Sequence, residues 1–371
     1  MNDRDVFERL DIRPNARNDG GRELRLRCWV HFLRAVRGEL ASRTGLPWKQ
    51  RFAAWRAGFT SRSWMLYELE QGDPGRYLAD FKAILNGYRV NGFYHTVLGN
   101  KLVLSRLLDA HGIPHPRVCA TLIEGKLRLE DQAKAPALAA ALDRVLEHSP
   151  KLVFRPVRSG CGEGVFFLDR EDGGLCLNGH PVTLDEAARL LAALDGYVVT
   201  EFVQQARYAR AIFPGSTNTL RVLTLWDAAT GAPFTAAVIH RFGARASGPT
   251  DHWDKGEGGY CASVDRATGI MGPAVSLAAD NHLRWVSAHP DSGAAIEGVA
   301  IPGFRECIDG VLGAAEQFPF CPSIGWDVVL TDDGYRIIEA NTIQGLSIMQ
   351  VHQPLLDDPR TRAFYERWGM A

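Results

Sequence analysis

"IGWDVVLTDDGYRIIEANTIQG", residues 324–345, sets two acids and an amide, Asp327, Glu339 and Asn341, among the aliphatic residues of what reads as a buried hairpin. "DVVLT" and "YRIIEAN" are expected to form antiparallel strands joined by Asp332-Asp333-Gly334, a three-residue loop with glycine in its left-handed position. In that register Thr331 faces Tyr335, Val329 faces Ile337 and Asp327 faces Glu339, with Asn341 two residues on and on the same side. A two-residue Asp333-Gly334 turn is the competing register; it pairs Val328 with Glu339 and sends Asp327 to the other face. Directly opposed Cβ atoms lie about 5 Å apart, and two carboxylates that close repel by about 4 kcal/mol at an effective dielectric near 20. A positive group must compensate. One candidate is an arginine, giving a structural ion pair. The other is one or two Mg²⁺ ions, which favour a few carboxylates completed by water and phosphate oxygens. Asn341 discriminates between them, because a neutral amide oxygen ligates a metal but adds nothing to a pair with arginine.

If Mg²⁺ is the partner, a phosphate cradle is required elsewhere. "FRPVRSGCGEGVFFL" offers one: Gly160, Gly162 and Gly164 let backbone N–H groups approach an anion closely. A strand follows and no GK[ST] is present, so this is a strand–loop–strand flap and not a Walker loop; an ordinary tight turn has the same signature. Arg155, Arg158 and Ser159 flank or open the loop, and Lys101 starts a helix upstream, where it is either solvated or a phosphate contact. Arg221, inside the aliphatic strand "NTLRVLTL", needs a partner. A structural carboxylate and a transferred phosphoryl group both qualify, and Arg241 after "AAVIH" poses the same choice.

Farther out, "GNKLVLSRLLDAHGIPHP" reads as a helix capped by Asn100 and ended by Gly112. "KAPALAAALDRVLEH" is a second helix with Pro136 in its first turn, and Thr183 with Glu186 is a capping box opening a third. Strands and helices alternate only loosely, so the expected class is α+β and not a doubly wound parallel sheet. Residues 22–62 are crowded with arginine on helical spacing, either a solvated face or a docking surface for an anionic partner. At 371 residues and a formal net charge of −1, nothing in the overall balance indicates nucleic acid or a membrane. No apolar run reaches the roughly 20 residues of an integral membrane segment, the N-terminus has no apolar signal region, and the seven scattered cysteines lack metal-finger spacing. A cytoplasmic location with reduced thiols is the expectation. Oligomeric state leaves no trace in the sequence.

Taken in order, these segments resemble the ATP-grasp superfamily, in particular the sugar-transfer-associated ATP-grasp proteins found beside polysaccharide genes. The resemblance is carried by "GWDVVLTDDGYRIIEANTIQG", "NTLRVLTL", "HPDSGAAIEG", "KLVLSRLLDAHGIPHP" and the flap "RSGCGEGVFFL". It implies two α+β subdomains gripping ATP, residues 92–203 and 204–371, after a helical N-terminal region over 1–91. By that resemblance Asp327, Glu339 and Asn341 bind Mg²⁺, residues 159–164 cover the phosphates, and Lys101 is a nucleotide contact. Backbone groups of Glu201, Phe202 and Val203 meet the adenine, while Arg221 and Arg241 steady the phosphoryl group or a carboxylate. The loop with Lys255, Gly258 and Gly259 occupies the place where related ligases bind acceptor and phosphate. Arg155 stands where the family usually has lysine, and Gln204-Gln205 follow the hinge where a ribose-binding carboxylate is common. The implied activity is ATP-dependent ligation of a small-molecule carboxylate, a sugar acid or amino acid, to an amine through an acylphosphate. A kinase acting on a hydroxyl and a catalytically silent nucleotide-binding scaffold in polysaccharide assembly are the alternatives.

Overall fold

The computed structural model describes the chain except residues 1–20, 43–44, 131–135, 160–161, 172–173, 249, 254–257, 279–281 and 343–344. It opens with four helices, α1 (Gly21–Ala41), α2 (Trp48–Arg56), α3 (Ser61–Leu66) and α4 (Asp80–Asn91), of which α1 and α4 pack on each other. Helix α5 (Lys101–Ala110) follows; the Asn100 side chain accepts from the N–H groups of Leu102 and Val103, and Gly112 after it has φ +63°. Both ends match their local sequence signals.

A first antiparallel sheet is built from β1 (Val118–Ile123), β2 (Lys126–Leu129), β3 (Lys151–Pro156), β4 (Phe166–Glu171), β5 (Gly174–Leu177), β6 (His180–Val182) and β7 (Tyr197–Glu201), in the order β2-β1-β7-β3-β4-β5-β6. One face is covered by α6 (Leu138–His148) and α7 (Leu184–Ala192). Thr183 and Glu186 form the expected capping box on α7. Helix α6, however, starts at Leu138 behind an Ala137 N-cap, so Pro136 precedes the helix instead of sitting in its first turn. Alternation along β3 drives Leu152 and Phe154 into this core and leaves Val153 and Arg155 on the open face.

After α8 (Arg207–Ile212) comes a second antiparallel sheet of β8 (Thr219–Asp227), β9 (Ala232–Phe242), β10 (Tyr260–Val264), β11 (Met271–Leu277), β12 (Leu283–Val286), β13 (Ser323–Thr331) and β14 (Gly334–Asn341), ordered β12-β11-β10-β9-β8-β13-β14. Two antiparallel sheets with helices outside them make the fold α+β. One face of this sheet, with Val222, Val238 and Trp326, packs against α9 (Phe304–Glu316) and takes in Leu104 and Leu108 of α5. The opposite face carries Leu223, Leu225 and Ile239. The N-terminal helices, α10 (Leu346–His352) and α11 (Pro359–Arg367) cover it. Toward one end of that face the apolar row gives way to Thr219, Arg221, Arg241 and Asp327, which line a cavity together with the open face of the first sheet. Among the described residues no helix is long and apolar enough to cross a membrane.

Candidate active site

The cavity is about 510 Å³, within the usual range for small-molecule sites. One end is apolar, with Val153, Phe167, Phe202, Val329 and Ile338; the other is charged.

The charged end begins at the hairpin. Asp327 does pair with Glu339, yet the turn differs from expectation: Thr331 pairs with Gly334 across a two-residue Asp332-Asp333 loop. That register pairs Val328 with Ile337, and one extra residue on β14, Ile338, then brings Glu339 opposite Asp327. A β-bulge of this kind re-aims a strand's side chains beside a site. The bulged residue is held from far off in the chain: Arg155 Nη1 on β3 donates to the Ile338 carbonyl at 2.9 Å.

Register sets the rest of the row. On β8, Arg221 lies opposite Asp327; two residues back, Thr219 lies opposite Arg241 of β9. Arg221 donates to Asp327 through Nε and, at 2.9 Å, through Nη2, while Arg241 Nη2 reaches Asp327 Oδ2 at 3.1 Å. Asn341 Nδ2 donates to the same Oδ2 at 3.3 Å. Burial opposes ionisation of Asp327, but Arg221 and Arg241 outweigh it and hold its carboxyl below the ordinary value. Burial likewise opposes the charge on Arg241, and Asp251 and then Asp327 outweigh it and raise its pKa. Asp251 sits 3.4 Å from Arg241 Nε and accepts from the Thr219 N–H and hydroxyl.

Glu339 is placed differently. Its side chain is 28% exposed, and Lys101 Nζ lies 3.2 Å from it while also donating to the Ser159 carbonyl at 2.7 Å. Arg155 uses one donor on the bulge carbonyl, and its buried Nε has no hydrogen-bond partner. Burial pushes its guanidinium below the ordinary value, against the pull of Glu339. Arg155 also lines the cavity, and a guanidinium there suits an incoming anion. Four cations, Lys101, Arg155, Arg221 and Arg241, thus share this end with three carboxylates, Asp251, Asp327 and Glu339.

The flap crosses above them. Gly162 (φ +66°) and Gly164 (φ +73°) occupy left-handed backbone, and a Cβ on Gly162 would come within 3.0 Å of Thr250 Cγ2. The flap therefore rests on the 250–252 loop. Gly160, Cys161 and Lys255 lie outside the described residues. Arg158 is exposed and does not line the cavity; Gly258 and Gly259 press on the backbone of Trp253 and Phe242.

At the apolar end the N–H groups of Glu201 and Phe202 are taken by the carbonyls of Arg117 and Lys151. The Glu201 carboxylate accepts from the Arg117 N–H at 3.1 Å. Val203 lines the cavity, and among the described residues its N–H has no backbone partner.

For a divalent cation the donors divide. Glu339, partly exposed, and the Asn341 amide oxygen, which accepts no hydrogen bond among the described residues, suit Mg²⁺ completed by phosphate and water. Asp327 has both oxygens engaged by arginines, the structural-pair alternative, and offers none while those contacts stand. Among the described residues no three His, Cys, Asp or Glu side chains converge as a metal cluster.

Asp251 and Thr219 escaped the sequence reading. Thr219 was open to detection, being two residues before Arg221 on one strand face; Asp251, in a glycine-rich polar loop, carries no periodic signal. A second cavity of about 580 Å³ adjoins the first through Gly345 and Ser347 and is lined by Glu39, Arg62, Ser63 and Asp80 from the N-terminal helices.

The family described as sugar-transfer associated ATP-grasp matches residues 82–360. No curated protein matches the chain by sequence. Similar solved structures include the ADP complex of N5-carboxyaminoimidazole ribonucleotide synthetase, at 11% identity and TM-score 0.39, over 68% of this chain and 46% of that one. The VanG D-Ala:D-Ser ligase from Enterococcus faecalis gives 13% and 0.41, over 77% of this chain and 68% of that one. The ATP-grasp ligase PsnB with a minimal precursor gives 13% and 0.39, over 75% and 64%. The chain spans about half the length of the first of these.

Proposed function

Since the chain belongs to the sugar-transfer-associated ATP-grasp family, we propose that it is an ATP-dependent carboxylate–amine ligase working in the cytoplasm on small-molecule substrates, with residues 92–203 and 204–371 as the two halves of the clasp. The observation that carries this reading is the lining of one cavity: Val153, Phe167, Phe202 and Val203 for a base, and the cations Lys101, Arg155, Arg221 and Arg241 for phosphates. In this reading Glu201, Phe202 and Val203 hold the adenine. Lys101, Arg155 and the flap from Ser159 to Gly164 hold the phosphates, with Arg158 free to swing in from the flap's edge. Glu339 and Asn341 would hold Mg²⁺, and Asp327 would join them only on letting go of an arginine. Bound there, the ion would offset charge on the transferred phosphoryl group.

The chain's own work is positioning and electrostatics. Arg221 and Arg241, fixed by Asp327 and Asp251, orient the acid and its developing acylphosphate, with Lys255 a further candidate for that role. The flap keeps water from an intermediate that hydrolyses. The amine then attacks the acyl carbon, the amide forms, and phosphate leaves. We assign the acceptor to the second cavity, because it shares Gly345 and Ser347 with the first and presents Arg62 to an anion. A Cβ on Gly38, in that lining, meets nothing within 4 Å. Gly38→Leu is therefore expected to raise the acceptor KM several-fold and leave the ATP KM unchanged; equal values for both would remove the acceptor from that cavity.

Hydroxylamine trapping tests the chemistry. A hydroxamate that requires ATP and a carboxylate supports ligation, whereas a stable phosphorylated product with no hydroxamate means a kinase. The capture of both Asp327 oxygens by arginines favours a silent scaffold, and the absence of any ATP-dependent thermal shift with Mg²⁺ would establish that reading instead.

A further inference from the structure

Helix α1 has two apolar faces. Leu24 and Cys28 are buried in α1, which packs against α4, and Glu39 is buried against Arg51 and Trp55 of α2 and Ser61 of α3. On the opposite side Leu26, Trp29, Leu33 and Leu40 are 54–66% exposed, at three-, four- and seven-residue spacing along one stripe. On α2, one turn apart, Trp48 and Phe52 are 67% and 66% exposed. Soluble surfaces scatter such residues singly; a contiguous row marks an interaction site. The row is flanked by exposed Arg22, Arg34 and Arg37. Residues 22–62 as a whole hold nine arginines and one lysine against two glutamates, in a chain of net charge −1. One of those glutamates, Glu39, is buried, and the other, Glu23, is paired with Arg27 at 3.0 Å.

We infer that the outer face of α1 is a peripheral docking surface for an anionic lipid bilayer. An interfacial helix of this kind lies in the headgroup plane, Trp and Leu dipping into the acyl boundary while arginines reach the lipid phosphates. Charge complementarity selects this occupant over a second copy of the chain. A two-fold contact would set the same arginine-flanked stripe against itself, like charge on like charge, and the two glutamates of residues 22–62 are already buried or paired. The stripe lies outside residues 82–360, so it is no part of what defines the family, and it stands clear of the nucleotide cavity. The inference is independent of the proposed ligation. It adds a location, placing the ATP-using site at a membrane surface without a spanning segment.

Co-sedimentation of the full chain with phosphatidylcholine vesicles, with and without phosphatidylserine, tests it. Binding is expected only with the anionic lipid and is expected to weaken as salt is raised. Each arginine near such a surface contributes about fivefold, so Arg34→Glu with Arg37→Glu should weaken partitioning roughly 25-fold or more. Trp29→Glu with Leu33→Glu should weaken it at least about tenfold. Both double variants change exposed side chains and should keep the parent's thermal midpoint and ATP-dependent shift. No partitioning by the parent chain, equal partitioning into neutral vesicles, or variants that bind as the parent does would overturn the assignment. So would a concentration-dependent dimer that the same substitutions dissolve, since the face would then belong to a second copy.

Discussion

Consecutive residues His240 and Arg241 on β9 point to opposite faces of the second sheet and meet opposite electrostatic fates. His240, toward α9, is 2% exposed, has its Nε2 within 2.8 Å of the Tyr208 hydroxyl, and leaves Nδ1 without a partner. Burial pushes its pKa down to about 3, and the imidazole stays neutral. Arg241 is also buried but keeps its charge, because Asp251 and Asp327 sit beside it. The core-side face thus excludes charge by desolvation, whereas the cavity-side face retains charge by pairing it. A sheet that did either on both faces would have a stable core without a site, or a site without a core to hold it.

The largest test of that contrast is Asp327→Ala. It leaves Arg221 and Arg241 facing each other with one counter-ion fewer, and should cost about 3–5 kcal/mol in denaturant unfolding. A loss below about 1 kcal/mol would mean that solvent already screens the pair and that the cavity face is not held by charge. Next in size is pH. Between about 6.5 and 3 the unfolded chain protonates His240 while the folded chain does not, so stability should fall as pH drops, by about 1.4 kcal/mol per unit for this group. His352, lowered by burial to about 4, adds in the same direction. His240→Phe should flatten the slope in that window; an unchanged slope would assign the acid sensitivity to other groups.

Gly162→Val should cost about 1–2 kcal/mol of flap closure, through a branched side chain at φ +66° pressed on Thr250. It would appear as a weaker ATP-dependent thermal shift with an almost unchanged parent midpoint. Smallest in stability is Glu339→Gln, at about 1 kcal/mol, because the partly exposed side chain keeps a neutral acceptor for the buried Lys101. The same variant should lose the Mg²⁺ dependence of ATP binding. Calorimetric titration with and without Mg²⁺ reads that directly, and a retained Mg²⁺ dependence would move the ion elsewhere.

Local signals were legible where their causes were local. The Asn100 cap, the Thr183–Glu186 box and the α+β class all follow from residues within a few positions of one another. The facing of Asp327 and Glu339 was legible too, though by a register that the chain does not use at its turn. The three-residue loop is replaced by a two-residue loop plus a bulge at Ile338, and the two changes cancel at the acids. No hairpin sequence can announce that cancellation, since the Ile338 carbonyl is held by Arg155 from another sheet.

What the sequence determined alone was which residues share a strand face, because alternation is a property of the backbone: Arg221 with Thr219, Glu339 with Asn341. What only the tertiary structure decided was which charges answer one another. Asp327 belongs to two arginines and Glu339 to a lysine because β9, β8, β13 and β14 lie side by side, with α5 and the first sheet across the cavity. Coulomb attraction falls with distance through space, and residues far apart in the chain become neighbours only when the sheet closes.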